Sequence, residues 1–276
     1  MSSHGLSSHG LRYSVNCSML FTELPLLERP AAVKAAGFDA VEFWWPFATA
    51  VPGDAEVDAF CTAISDAGVQ LAGLNFFAGN MPGGDRGLVS WPARRAEFAD
   101  NVAVVAGIAG RLGTRAFNAL YGNRVDDATP EEQDEVATAN LALAASAVGA
   151  LGGVVLVEPV SGAPRYPVLT AADARAVIGR AAAAGAVNVA LLCDLYHLAV
   201  NGDDLDAAIE GAASFGHVQI ADAPGRGEPG SGTLDLDRYL AAIEAGGYAG
   251  YVGLEYKPTT TTEESLAWLP RERRGA

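Results

Sequence analysis

The stretch VVLVEP, residues 154–159, is a β-branched and aliphatic run that ends on a carboxylate, Glu158. An ionised group is costly to bury without a partner, so a carboxylate closing an apolar strand calls for an opposite charge nearby. The pattern recurs toward the C terminus. VALLCDLYH carries Asp194 at its strand end, HVQIAD carries Gln219, and YVGLEYKP carries Glu255, with helix-length segments between them. Four oxygen-bearing side chains on successive strand ends read as ligands converging on one hard divalent cation.

Toward the N terminus the same alternation predicts four more strands: Arg12 to Cys17, a VEFWW strand from Val41, VQLAGLNF, and Arg115 to Leu120. Helices are expected over Ala31 to Ala36, closed by Gly37, over Asp54 to Ala67, closed by Gly68, and from Pro92 to Leu112. Thr129-Pro130-Glu131-Glu132 supplies an N-cap with proline at the first helical position. Ala171 to Ala184, Asp203 to Ala213 and Leu236 to Ala245 complete the set. Alternation of this kind gives parallel strands with right-handed crossovers. All eight strands end in a residue with a polar side chain: Asn16, Glu42, Asn75, Asn118, Glu158, Asp194, Gln219 and Glu255. A closed (β/α)8 TIM barrel gathers those ends on one face, where barrel enzymes keep their active sites, whereas an open sheet strings them along an edge. The reading is a single α/β domain over residues 11–270, with a disordered extension at 1–10 and a short C-terminal tail at 271–276.

Composition agrees. The 276 residues suit one such barrel, and half of them are hydrophobic, which is ample for a large core. A net charge of −15 argues against a nucleic-acid surface. No apolar run reaches the ~20 residues of a membrane span. Three scattered cysteines, Cys17, Cys61 and Cys193, lack zinc-type spacing and fit a reducing, cytoplasmic setting. SSHGL occurs twice in tandem, at residues 2–6 and 7–11, and lacks the basic start and apolar middle of a signal peptide. Asn16-Cys17-Ser18 matches a glycosylation acceptor in form only, because it lies in an expected strand.

LLCDLYH, HVQIADAPGRGEPGSG and GLEYKPTTTTEESLAWL resemble segments of bacterial hydroxypyruvate isomerases, within the xylose-isomerase-like barrel superfamily. RYSVNCSMLFTELPLLER and GFDAVEFWWP extend the resemblance to roughly Leu11–Leu269, with EYKP and the RGEPGSG loop its most specific pieces. It implies a metal set of Glu158, Asp194, Gln219 and Glu255, with Glu158 and Glu255 also serving as acid and base. It further implies His197 beside the substrate and interconversion of hydroxypyruvate and tartronate semialdehyde through an enediolate. Hard oxygen ligands favour Mg²⁺ or Mn²⁺ over zinc.

Arg226 and Lys257 are candidates for the substrate carboxylate, Arg being suited to bidentate contact. Glu42 and Asn75 are placed to touch substrate or to hold a ligand. His217 should share a strand face with Gln219 but lie deeper. Arg86, in a glycine-rich connection, is a lid candidate whose ordinary role would be a solvated side chain; Trp44 and Trp45 could wall a pocket. Gly225 to Gly230 spells GxGxxG after a strand, but Glu228-Pro229 interrupts it and no helix opens on it, so no dinucleotide site is expected. The expected partner is a small anionic oxo or hydroxy acid, with no nucleic acid, no membrane and a possible homodimer. Competing assignments are a sugar 3-epimerase, an isomerase of four-carbon 2-oxo acids, a histidine-rich barrel endonuclease, and a non-catalytic metal-binding barrel.

Overall fold

A computed structural model describes residues 9–275. The first strand, β1 (Arg12–Asn16), leads to α1 (Arg29–Ala35), then β2 (Ala40–Phe43), α2 (Asp54–Ala67), β3 (Gln70–Asn75) and α3 (Arg95–Leu112). The chain continues through β4 (Ala116–Asn118), α4 (Pro130–Gly149), β5 (Val154–Val157), α5 (Ala171–Ala183) and β6 (Val189–Asp194). A short helix that was not expected, α6 (Leu195–Val200), follows β6, and the helix expected over 203–213 is reduced to α7 (Leu205–Ala208) and a 3₁₀ turn. Asp194 and Asp204 each cap one of these helices through the side chain, so two caps in ten residues break the segment. β7 (His217–Ile220), α8 (Leu236–Ala245), β8 (Tyr251–Leu254) and the short α9 (Thr262–Ser265) complete the order.

All neighbouring strands are parallel and β1 pairs with β8, so the sheet closes into a barrel of eight strands. Local chemistry starts the helices well: Thr129 and Thr170 both form capping boxes, with Glu132 and Asp173 reaching back to the cap. The barrel interior beneath the strand ends is divided. On one side Ala116, Leu156 and Leu192, from β4, β5 and β6, form a small aliphatic cluster. On the other, Ser14, Glu42 and His217, from β1, β2 and β7, form a buried polar one.

Residues 9–10 and 271–275 lie against the amino-terminal end of the barrel, away from the strand ends that carry the polar residues. His9 is buried with its ring 3.3 Å from the Tyr13 hydroxyl, and Arg273 donates to its carbonyl. Arg274 donates to the carbonyls of Ala36, Leu266 and Leu269. Residues 9, 10 and 271–274 are thus folded onto the barrel, and the sequence boundaries at 11 and 270 are drawn too tightly. His4 and the rest of the tandem repeat up to residue 8 lie outside the described residues.

Candidate active site

The carboxyl-terminal strand ends surround a cavity of about 810 Å³. At its floor Glu158, Asp194, His197 and Glu255 each place one ligating atom within 4.8 Å of the others, and all four are buried. Glu158 and Glu255 stand one residue past β5 and β8, while Asp194 ends β6 and is paired in register with Gln219 of β7. Three carboxylates this close repel one another. Burial, reinforced by the Asp194 charge, pushes the Glu158 carboxyl up to about 8. Burial also raises the Glu255 carboxyl well above its usual range, with the Arg226 guanidinium opposing the rise.

An asparagine from the neighbouring strand steadies each glutamate. Asn118 Nδ2 donates to Glu158 Oε2 at 2.6 Å, and Asn16 Nδ2 donates to Glu255 Oε2 at 3.0 Å. In both cases Oε1 stays turned to the cluster: that of Glu158 is 3.8 Å from His197 Nε2, and that of Glu255 is ion-paired with Arg226. These two asparagines were visible as strand-end residues, but nothing in the sequence assigned them a partner.

His197 is held in one tautomer. The Ser161 backbone N–H, an obligate donor, meets Nδ1 at 3.0 Å, and the Ser161 hydroxyl lies 2.7 Å from the same atom. Nδ1 is therefore the acceptor, and in the neutral ring the proton sits on Nε2. Burial lowers the imidazolium pKa to about 4, so the ring is neutral at physiological pH. Nε2–H points at the space between Glu158 and Asp194, 3.8 and 3.7 Å away, and offers a donor where a cation would need a lone pair. Ser161 carries no sequence signal: it is one polar residue in a loop, and only the fold brings it to His197.

Arg226 lies over the Tyr196 ring, its Cζ 5.2 Å from the ring centroid, and reaches both Glu255 and Asp194. Its backbone is left-handed (φ 59°), a conformation that costs about 1 kcal/mol or more in a non-glycine residue. The GxGxxG loop that presents it is folded on itself. The Asp222 carboxylate accepts from the N–H of Gly230 and Leu234, and α8 begins only at Leu236, as expected for a segment that is not a dinucleotide turn. Lys257 is exposed and lies outside the residues that line the cavity. Asn75, Trp44 and Trp45 do line it, and so does Arg86. Arg86 is half-buried, and among the described residues its guanidinium bonds only the carbonyls of Met81 and Asp85. Glu42 does not line the cavity but lies beneath it, hydrogen-bonded to Gln219. Asn16, fully buried and engaged with Glu255, is closed to glycosylation. Cys17 and Cys193 are buried, and burial pushes both thiols far above their usual range, so neither is a nucleophile.

The donor set fits a hard cation. Glu158, Asp194 and Glu255 bring three carboxylates, and Arg226 is the cation in direct contact with them among the described residues. Gln219, 3% exposed, donates its Nε2 to Glu42 at 2.7 Å, while its Oε1 is buried with no hydrogen-bond partner among the described residues. An orphaned buried acceptor on a strand end paired in register with Asp194 is what a coordinated cation would satisfy.

Fold and site together define an enzymatic (β/α)8 barrel whose buried acidic cluster can hold a metal ion. The chain belongs to the xylose isomerase-like TIM barrel family, whose profile matches residues 30–272. A Streptomyces coelicolor protein assigned by name to hydroxypyruvate isomerase activity is 53% identical over 96% of this chain and 98% of its own length. Hydroxypyruvate isomerase of Escherichia coli is 32% identical, over 94% of this chain and 98% of its own. A 2-oxo-tetronate isomerase of Cupriavidus necator is 34% identical, over 94% and 97%. Among solved structures, one from Brucella melitensis described as an AP endonuclease of family 2 superposes with a TM-score of 0.83 at 32% identity, covering 94% of this chain and 97% of that one. The chain is an enzyme of the isomerase class.

Proposed function

We propose that the protein interconverts hydroxypyruvate and tartronate semialdehyde with the help of Mg²⁺ or Mn²⁺. The observation that carries this reading is the pair of glutamates, one at each side of a single acidic cluster, each with one oxygen held by asparagine and the other turned to the cluster. Glu158, Asp194, Gln219 and Glu255 would hold the cation. When bound, it would stabilise negative charge on the neighbouring oxygens of the substrate.

The remaining work belongs to the chain. One glutamate removes a proton from the hydroxymethyl carbon, and the electron pair left behind forms a double bond to the former carbonyl carbon. The second glutamate returns a proton to that carbon while the hydroxyl proton passes to the former carbonyl oxygen, so the carbonyl has moved by one position and no atom or electron is gained or lost. The glutamate that is base in one direction is acid in the other. His197 Nε2–H donates to a substrate oxygen and so helps spread the charge of the enediolate. Arg86 has no carboxylate partner among the described residues and lines the cavity, so its charge is available to the substrate carboxylate alongside Arg226.

One observation favours a second reading, an isomerase of four-carbon 2-oxo acids. A cavity of about 810 Å³ is in the range that holds drug-sized ligands, and a three-carbon acid fills little of it. A DNA substrate is disfavoured by the charge of −15, since phosphate binding requires a basic surface. The deciding experiment is turnover of hydroxypyruvate and of 2-oxo-tetronate by chelator-treated protein with and without Mg²⁺ or Mn²⁺. Metal-dependent conversion of hydroxypyruvate at the higher kcat/KM supports the first reading; preference for the longer acid supports the second; no conversion of either overturns both.

A further inference from the structure

Glu42 is a fully buried carboxylate in the barrel interior, a layer that branched aliphatic residues dominate in most barrels of this class. Burying a charge costs several kcal/mol unless close donors compensate for it. Glu42 has four, two on each oxygen. Oε2 accepts from the Ser14 hydroxyl at 2.9 Å and lies 2.7 Å from His217 Nε2. Oε1 accepts from Asn16 Nδ2 at 3.2 Å and from Gln219 Nε2 at 2.7 Å. With two donors on each oxygen, Glu42 acts as an acceptor on both sides.

The fold makes room for it. A Cβ on Gly253 would lie 2.5 Å from both Glu42 oxygens, and the β2–β3 register shifts between Val41 and Glu42. An ion pair with His217 would need only one of the two oxygens. The other is committed to two residues of the site above. Asn16 shares its Nδ2 between Glu42 and Glu255. Gln219 turns its nitrogen to Glu42 and leaves its oxygen as the orphaned acceptor. The two ends of an amide are nearly the same size, yet only the oxygen can meet a cation. A carboxylate on one side, which accepts and cannot donate, decides which end that is.

We propose that Glu42 is a positioning residue: it sets the Gln219 amide with its oxygen toward the Glu158–Asp194–Glu255 cluster and, through Asn16, holds Glu255 in place. This rests on the reading of Gln219 as a metal ligand. The test is Mn²⁺ binding, followed by titration calorimetry and by the free-ion electron paramagnetic resonance signal, on the intact wild-type chain, E42Q, Q219E and the E42Q/Q219E double variant. E42Q is expected to bind Mn²⁺ about 10- to 100-fold more weakly, in line with the loss of other outer-shell partners. Q219E would be expected to bind more tightly if position 219 were judged alone, because a carboxylate replaces an amide. Against Glu42 it faces a like charge, and the expected result is weaker binding by about tenfold. The double variant exchanges donor and acceptor, and binding should return to within about threefold of wild type. Unchanged binding by folded E42Q, tighter binding by Q219E, or no recovery in a folded double variant would each overturn the proposal. The sign of the Q219E effect decides the matter even if E42Q fails to fold. Failure of the wild-type chain to bind Mn²⁺ would instead remove the reading beneath it.

Discussion

The Glu158 and Glu255 corners of the site are built from the same parts and end in different electrostatic states. Each glutamate stands one residue past a strand, each is almost wholly buried, and each gives its Oε2 to an asparagine of the adjacent strand. At the Glu255 corner the free oxygen meets the Arg226 guanidinium, and the supporting asparagine is shared with Glu42. At the Glu158 corner the other oxygen lies 3.8 Å from the neutral His197 ring and has no guanidinium in contact, and Asn118 Oδ1 has no hydrogen-bond partner among the described residues. One carboxylate therefore has a fixed cation and the other does not. Burial raises both carboxyls, so the contrast lies in the fixed partner of each and not in the direction of the shift.

The sharpest way to break the comparison is to remove the groups themselves. E158Q and E255Q should each lower kcat for hydroxypyruvate by about 10³-fold, the middle of the range for a lost acid or base. Steady-state and single-turnover kinetics check this, and a variant that keeps more than about a tenth of wild-type kcat would exclude its glutamate from proton transfer. The supporting amides should separate the corners next. N118A and N16A are each expected to cost about 10- to 100-fold in kcat or metal affinity. N16A should weaken Mn²⁺ binding more, because Asn16 also touches Glu42; equal losses would show that the shared contact contributes nothing.

Arg86 sharpens the contrast with Arg226, since it is the cavity guanidinium not committed to a carboxylate. R86A should raise KM for hydroxypyruvate by about tenfold with kcat little changed, the loss of a single charged contact. An unaltered KM would return the carboxylate to Arg226.

A pH series tests the Glu158 corner in metal-free protein. Its folded pKa is raised to about 8 from 4.5, so its contribution to stability is fully present below 4.5 and is lost as pH rises through about 8. His197 runs the other way. Lowered to about 4 from 6.5, its contribution grows as pH rises through 4–6.5 and is then complete. Between pH 6.5 and 8 only the fall remains of these two, so thermal melts should show Tm declining across that window. E158Q should flatten the decline without abolishing it, because Glu255 is shifted in the same direction. A wild-type Tm that rises from pH 6.5 to 8 would contradict it. The smallest effect belongs to Lys257: exposed and outside the cavity, its replacement by alanine should leave kcat/KM within about twofold.

The barrel and the acidic residues it gathers were legible because the signal is local. An apolar strand that ends on Glu158, Asp194, Gln219 or Glu255 breaks the usual rule about buried charge within a few residues, and four such breaks with helices between them admit few folds. Helix starts at Asp54, Pro130, Ala171 and Leu236 were readable for the same reason, since caps are read from adjacent residues. What the linear order could not decide was which side chains face one another once the barrel closes. Glu42 was expected either to touch substrate or to hold a ligand, and only the closed barrel decides for the second by bonding it to His217 and Gln219, 175 and 177 residues away. Arg226 was preferred to Lys257 for its bidentate fork, but only the loop fold sends Lys257 to solvent and Arg226 to Glu255. Strand chemistry is set by neighbours in the chain, whereas contacts across a barrel depend on register and closure, which exist only when all eight strands are in place.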